Sequence, residues 1–474
     1  MTRPLWTFAD ALAATGGQAE GEGSPDISSV SFDSRTIDKN ALFAAIRGDN
    51  LDGHDYVGKA FEAGAAAALV ATDADVDASA GPLIRVSDTL EALGQLGAAA
   101  RDRSSAKVIA VTGSVGKTGT KEALRLALSP SGETHASQKS YNNHWGVPLT
   151  LANFAPSAVY GVFEVGMNHP GEITPLVRLI RPQIAIITTV EPVHLEFFDS
   201  VEQIAEAKAE IFHGLEAGGV AILNVDNPHF ALLAKRAEEA GAGQIIAFGS
   251  NDDAKARLIS MESANGGSQV EASICGTSLT YRVGAPGRHV VMNSLAVLAA
   301  AQAAGADLEK AAAALSSYAA PVGRGARTHF DVGGDKIALI DESYNANPAS
   351  MRAALAALGD VPRDDLPRRI AVLGDMLELG ETSPQLHAEL AEPVDAAGVD
   401  VVFACGPHMR ALYDALPESR RGAYAEKSDG LTDALLHAVR GGDVVMIKGS
   451  LGSRMGPLVE ALGSHLTGQG ARIE

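Results

Sequence analysis

The chain has 474 residues, with 38 Lys and Arg against 58 Asp and Glu and a formal net charge of −20, which argues against nucleic acid or an anionic membrane as the main partner. Hydrophobic residues make up 46%, charged residues 20% and aromatic residues only 5%, a globular rather than disordered profile, and the length predicts about three domains with self-sufficient cores. Two cysteines, Cys275 and Cys405, exclude a disulfide framework or a multi-cysteine zinc site.

The start lacks an apolar signal core, and no run reaches the ~18 apolar residues of a membrane span. A cytoplasmic protein without membrane insertion is expected. The first hundred residues read as mixed α/β. Short strands are expected at 30–32 and 41–46, a helix over 57–68, and a helical lead-in over 86–106. From 108 the pattern changes. An apolar run at 108–111 reads as a buried parallel strand, followed by a loop at 112–118 and a helix over 121–128. Further buried strands are expected at 159–165, 184–190, 220–223 and 245–248, with helices over 201–216 and 228–240. Strand–helix alternation of this kind implies a parallel sheet covered by helices. Residues 257–283 read as short antiparallel strands, followed by helices over 290–304 and 307–318. The breaker cluster 321–325 marks a second boundary. Beyond it come strands at 337–340, 370–373, 401–404 and 444–447 and helices over 348–358, 384–397 and 453–464, a smaller doubly wound unit.

The loop Thr112-Gly113-Ser114-Val115-Gly116-Lys117-Thr118 joins a buried strand to a helix. Glycines let backbone N–H groups approach phosphate oxygens, a helix start favours anions, a lysine adds charge, and a threonine hydroxyl can ligate magnesium. The longer Walker spacing is not met, because Val111 stands where its first glycine would be. An ordinary strand–helix turn is the bland alternative; the Gly-Lys-Thr triplet in this context favours phosphate.

Glu164 ends an expected strand and His194 follows another, the places that line a ligand crevice in open α/β sheets. A magnesium site needs only one or two carboxylates plus phosphates, although either residue could equally be structural. By composition, Lys208 is a helical lysine among glutamates on a solvated face.

Together these residues resemble the Mur ligase family, ATP-dependent amide-forming enzymes of peptidoglycan synthesis, over nearly the whole chain. The family's phosphate loop is the shorter Gly-x-x-Gly-Lys-Thr form. Further matches are Phe32-Asp33-Ser34-Arg35, Gly48 with Asp52-Gly53-His54, Tyr141-Asn142-Asn143 with Gly146-Val147-Pro148-Leu149-Thr150, Gly374-Asp375-Met376 with Glu378-Leu379-Gly380, and Lys448-Gly449-Ser450. The most specific is Ser343-Tyr344-Asn345-Ala346-Asn347-Pro348. It resembles the branch that uses UDP-N-acetylmuramoyl-tripeptide and D-alanyl-D-alanine, and not the branch that adds the third peptide residue.

The resemblance implies an α/β protein of three domains. These are a mixed α/β N-terminal domain holding the UDP end (1–100), a central parallel-sheet, P-loop-like ATPase domain (101–322), and a C-terminal Rossmann-like doubly wound domain (323–474). It implies that Gly113, Ser114, Val115, Gly116, Lys117, Thr118 and Gly119 hold ATP. It also implies that Thr118, Glu164, His194 and a carbamylated Lys208 hold Mg2+, with Lys117, Glu164, His194 and Lys208 catalytic. Asn293 matches an adenine-side asparagine and Arg324 an arginine near the phosphates. Ser34, Arg35, Asn142 and Asn143 take substrate-side roles, and Asn345 and Asn347 are candidates for the dipeptide and for closure. Two positions depart from the pattern. Gly119 stands where Thr or Ser is usual, and Glu342 where an aspartate usually meets the ribose. A monomer is expected. The alternatives are a sister ligase adding a single amino acid, or glutamate to folate, against which 344–348 argues, and a non-ligase nucleotide-binding switch.

Overall fold

The computed structural model describes residues 4–48, 50–137, 140–193, 195–264, 266–468 and 472–473. Three larger sheets follow one another along the chain. The first has five strands in the order Gln18–Glu20, Leu83–Val86, Ala67–Ala71, Ala41–Ala44, Ser29–Ser31. All its pairs are parallel except the one made by Gln18–Glu20. The helix expected over 57–68 is corrected here: it is Val57–Glu62, and Ala67–Ala71 is a wholly buried strand. Gly64, at φ +107°, breaks the helix. The alanines that favour a helix locally are overridden by burial between parallel neighbours.

The central sheet has nine strands. Its order is Thr277–Val283, Gly267–Ile274, Ala256–Ala264, Gln244–Gly249, Val220–Asn224, Ile184–Ile187, Lys107–Thr112, Tyr160–Glu164, Thr134–Ala136. From Ala256–Ala264 onward every pair is parallel; the first three strands are antiparallel to one another, as expected for 257–283. The chain leaves Lys107–Thr112 toward one edge and returns to its other side through Ile184–Ile187. The carboxyl end of Lys107–Thr112 is thus a topological switch point, where open α/β sheets bind ligands. The strand expected over 184–190 ends at Ile187, and its last residues join the site as loop. The helix Arg288–Ala303 packs against the sheet, with Leu295–Ala301 fully buried. The first and central sheets share one continuous core, and Trp6 Nε1 donates to Ala152 O across it (2.8 Å).

The third sheet has seven strands, ordered Arg421–Ala425, Val401–Cys405, Arg368–Gly374, Asp443–Lys448, Asp335–Glu342, Ala326–Val332, Arg472–Ile473. The first five are parallel. The single helix expected over 384–397 is two, Ser383–Ala388 and Ala391–Ala396. Pro393 lacks an N–H and its ring opposes the carbonyl of Glu389. The helix expected from 453 is Gly456–Gly468. Both cysteines are free. No helix among the described residues is long and apolar enough to cross a membrane.

Candidate active site

The loop after Lys107–Thr112 is shaped by two close approaches. A Cβ on Gly113 would lie 1.9 Å from Thr188 Oγ1, and one on Gly116, at φ +85°, would lie 2.6 Å from Asn293 Nδ2. Thr188 donates to Val115 O (2.6 Å). Ser114 Oγ donates to Glu191 O and accepts from Glu191 N (3.0 and 2.9 Å). The loop is therefore pinned to the segment following Ile184–Ile187. The helix it opens, Lys117–Leu128, has no side-chain cap at its start, which leaves first-turn N–H groups for an anion.

Lys117 Nζ donates to Gly113 O at 2.6 Å and Ser114 O at 3.4 Å. Desolvation by the surrounding loop lowers its pKa to about 8; the charge of Glu164 opposes this and that of Arg324 adds to it. Thr118 Oγ1 donates to Glu164 Oε1 at 3.1 Å, and Asn142 Nδ2 donates to the same oxygen at 2.7 Å. Glu164 is fully buried, and its Oε2 has no partner among the described residues. An orphaned carboxylate oxygen next to a threonine hydroxyl fits a magnesium ion that also takes phosphate oxygens. Among the described residues no three His, Cys, Asp or Glu cluster as a metal cage. His194 lies outside the described residues.

Arg324 reaches this point from the start of the third sheet. Its Nη2 donates to Ser140 Oγ (3.2 Å), which lies 3.3 Å from Thr118 Oγ1, and its guanidinium stands 4.1 Å over the Tyr344 ring. Lys208, on the helix Val201–Ala209, is 2% exposed. The solvated-face reading of that lysine is thus wrong. Ile204 and Ile211, on its own face, are buried with it. Burial first, then the charge of Lys117, hold its amine well below the ordinary lysine pKa.

The other expected residues are spread around this centre. Asn293 touches the loop at Gly116. A Cβ on Gly119 would stand 3.0 Å from the Tyr318 hydroxyl, a physical reason for glycine at that departure. Glu342 pairs with the buried Lys448 (3.1 Å), which also donates to Asn345 O (3.0 Å). Asn345 Oδ1 accepts from Ala346 N. Asn347 caps the helix Pro348–Gly359 in a capping box with Ser350, so its side chain is engaged. Asn143 Oδ1 likewise accepts from Trp145 N and Gly146 N. Ser34 and Arg35 follow the first unit's strand Ser29–Ser31, with Arg35 exposed and paired to Asp33. Phe32 meets Tyr141 edge-on (5.6 Å), so the Ser34 turn adjoins the segment that carries Asn142.

Sequence reasoning missed Ser140, Thr188 and Asp341. Asp341 is buried and accepts from Gly323 N (2.9 Å), Ser343 N (3.1 Å) and Ser343 Oγ (2.6 Å), fixing the junction that carries Arg324. Its place at the end of an apolar strand beside Glu342 was the available signal. Ser140 and Thr188 gave none.

Three family models match the chain: "Mur ligase family, catalytic domain" over 26–101, "Mur ligase middle domain" over 111–301, and "Mur ligase, glutamate ligase domain" over 327–451. The UDP-N-acetylmuramoyl-tripeptide–D-alanyl-D-alanine ligase of Rickettsia prowazekii is 34% identical over 431 residues, covering 91% of this chain and 94% of that protein. Its Escherichia coli namesake is 35% identical over 437 residues, covering 92% and 94%. A crystal structure of MurF from Acinetobacter baumannii superposes with a TM-score of 0.82 at 29% identity, covering 97% of this chain and 99% of that one. With three family models along the chain and relatives alike over nearly its full length, the chain belongs to the Mur ligase family.

Proposed function

We infer that this chain is the ATP-dependent ligase that joins D-alanyl-D-alanine to UDP-N-acetylmuramoyl-tripeptide in cytoplasmic peptidoglycan precursor synthesis, acting as a monomer. The observation that carries the mechanism is the meeting of an uncapped Gly-Lys-Thr helix start, the buried Glu164 and Arg324 from the third sheet.

A carboxylate resists amines because its leaving group would be oxide. Attack of one carboxylate oxygen of the tripeptide on the γ-phosphorus of ATP releases ADP and gives an acyl phosphate. The neutral amine of the dipeptide then adds to the acyl carbon. The tetrahedral intermediate loses inorganic phosphate, the nitrogen loses a proton, and the amide remains. The protein's share is positioning and charge neutralisation. Lys117 leaves its carbonyl partners for phosphate oxygens, and Arg324 adds a second positive charge. The loop amides of 113–119 cradle the phosphates. Asn293 serves the adenine side and Glu342 the ribose, where its longer carboxylate still accepts a hydrogen bond.

Thr118 and Glu164, completed by His194 and a carbamylated Lys208, would hold Mg2+, which when bound would neutralise phosphate charge in the transition state. At Lys208 the neutral amine attacks carbon dioxide and loses a proton, giving a carbamate anion. A buried amine with a lowered pKa supplies that neutral form. Ser34 and Arg35 face the UDP end, with Asn142 and Asn143 on the path from there to Glu164. Asn345 offers its Nδ2 to the dipeptide, and Asn347 acts through the cap that holds 344–348 in place. The limits 1–100, 101–322 and 323–474 are supported by the sheets, none of which crosses them.

Labelling the tripeptide's terminal carboxylate with oxygen-18 tests the reaction. The nucleotide product should gain one dipeptide less one water, and one label should appear in inorganic phosphate. Product with no label in phosphate would overturn the acyl phosphate.

A further inference from the structure

A cavity of about 290 Å³ opens beside the phosphate site, between the junction at Val322 and Gly323 and the segment Leu451–Pro457. Its walls are largely apolar: Val322, Tyr344, Leu451 and Met455. Val322 is 83% and Leu451 65% exposed, so filling the cavity would remove apolar surface from water. Among the described residues one charged side chain lines it. Arg454 is exposed, holds the left-handed φ of +51°, and its guanidinium has no ion-pair partner among the described residues. A single ring joins cavity and phosphate site, since Tyr344 lines the first and lies 4.1 Å under the Arg324 guanidinium of the second.

We propose that this cavity seats the dipeptide and that Arg454 holds its carboxylate. The assignment rests on the ligase reading above. A dipeptide zwitterion has one anionic end, one amine and two methyl groups. Its amine must reach an acyl carbon in a site crowded with phosphate charge, which repels its carboxylate. A guanidinium without an ion-pair partner among the described residues, lining the same cavity as the apolar side chains, fixes that orientation: carboxylate on Arg454, methyl groups against Val322 and Leu451, amine toward Tyr344 and Arg324. Guanidinium matches carboxylate in a planar, two-bond geometry.

The test compares D-alanyl-D-alanine with its C-terminal amide, D-alanyl-D-alaninamide, in wild type, Arg454→Ala and Arg454→Lys. For the acid, Arg454→Ala should raise the dipeptide KM roughly 10- to 100-fold, the scale of a lost charged hydrogen-bond pair. The KM values for ATP and the nucleotide–tripeptide and the melting temperature should stay unchanged, and Arg454→Lys should restore part of the loss. The amide should be a poor substrate for wild type and no poorer for Arg454→Ala. An unchanged dipeptide KM in Arg454→Ala, or equal rises for acid and amide, overturns the assignment while leaving the ligase reading intact. Wild-type phosphate release that ignores the dipeptide overturns both.

Discussion

Thr118 Oγ1 donates to one oxygen of the buried Glu164 carboxylate at 3.1 Å, while the other oxygen has no partner among the described residues. In the proposed function the pair is half of a site that phosphate and metal would complete. Glu164→Gln keeps the shape and removes the charge. Turnover should fall ~100-fold or more. The ligand-free protein should melt close to wild type, because the amide oxygen can keep the hydrogen bonds from Thr118 and Asn142. Steady-state rates and calorimetry check the two halves; full activity would remove Glu164 from the site.

Lys117→Ala should cost ~100-fold or more in turnover with the fold retained, since its Nζ rests on loop carbonyls and not in a core. Normal turnover with normal melting would sink the phosphate-loop assignment.

The pH dependence of Lys117 has a definite sign. With its pKa lowered from 10.5 to about 8, the ligand-free protein loses this charge as pH rises through about 8. kcat/KM for ATP, which reports the free enzyme, should fall there. Between about 8 and 10.5 the unfolded chain binds more protons than the folded one, so this group's contribution to stability rises with pH. Lys117→Met should abolish that rise in denaturant titrations.

Legibility in the sequence followed what each position depends on. The strand Lys107–Thr112 was plain because a parallel strand buried on both faces is an unbroken apolar run. The strand Ala67–Ala71 was hidden by its alanines, whose local preference is helical. The strand-to-helix turn that carries Gly-Lys-Thr was readable from local chemistry. Thr188 and Ser140 were not, because their partners are distant in sequence and only the folded sheet brings them together. Lys208 is the instructive case. The neighbouring glutamates suggested solvent, yet Ile204 and Ile211, four residues before and three after it, share its helical face and are both buried.

Lys208→Ala should reduce activity strongly, and formate or acetate should restore part of it by supplying an anion in the vacated space. Lys208→Arg, which keeps the wrong charge, should not rescue. A fully active Lys208→Arg would rule out the carbamate.

Asn347→Ala should destabilise the protein by about 1 kcal/mol, the usual cost of a lost N-cap. Asn347→Asp, which preserves the cap, should melt close to wild type. Equal losses for both in thermal unfolding would contradict the capping role.

Phosphoryl transfer in this ligase is harnessed to amide formation between two substrates. Phosphate release, followed with ATP and magnesium alone, with either substrate singly, and with both UDP-N-acetylmuramoyl-tripeptide and D-alanyl-D-alanine, tests it most directly. Sustained release is expected only when both are present, in a one-to-one ratio with amide formed. Comparable turnover with ATP alone would contradict it.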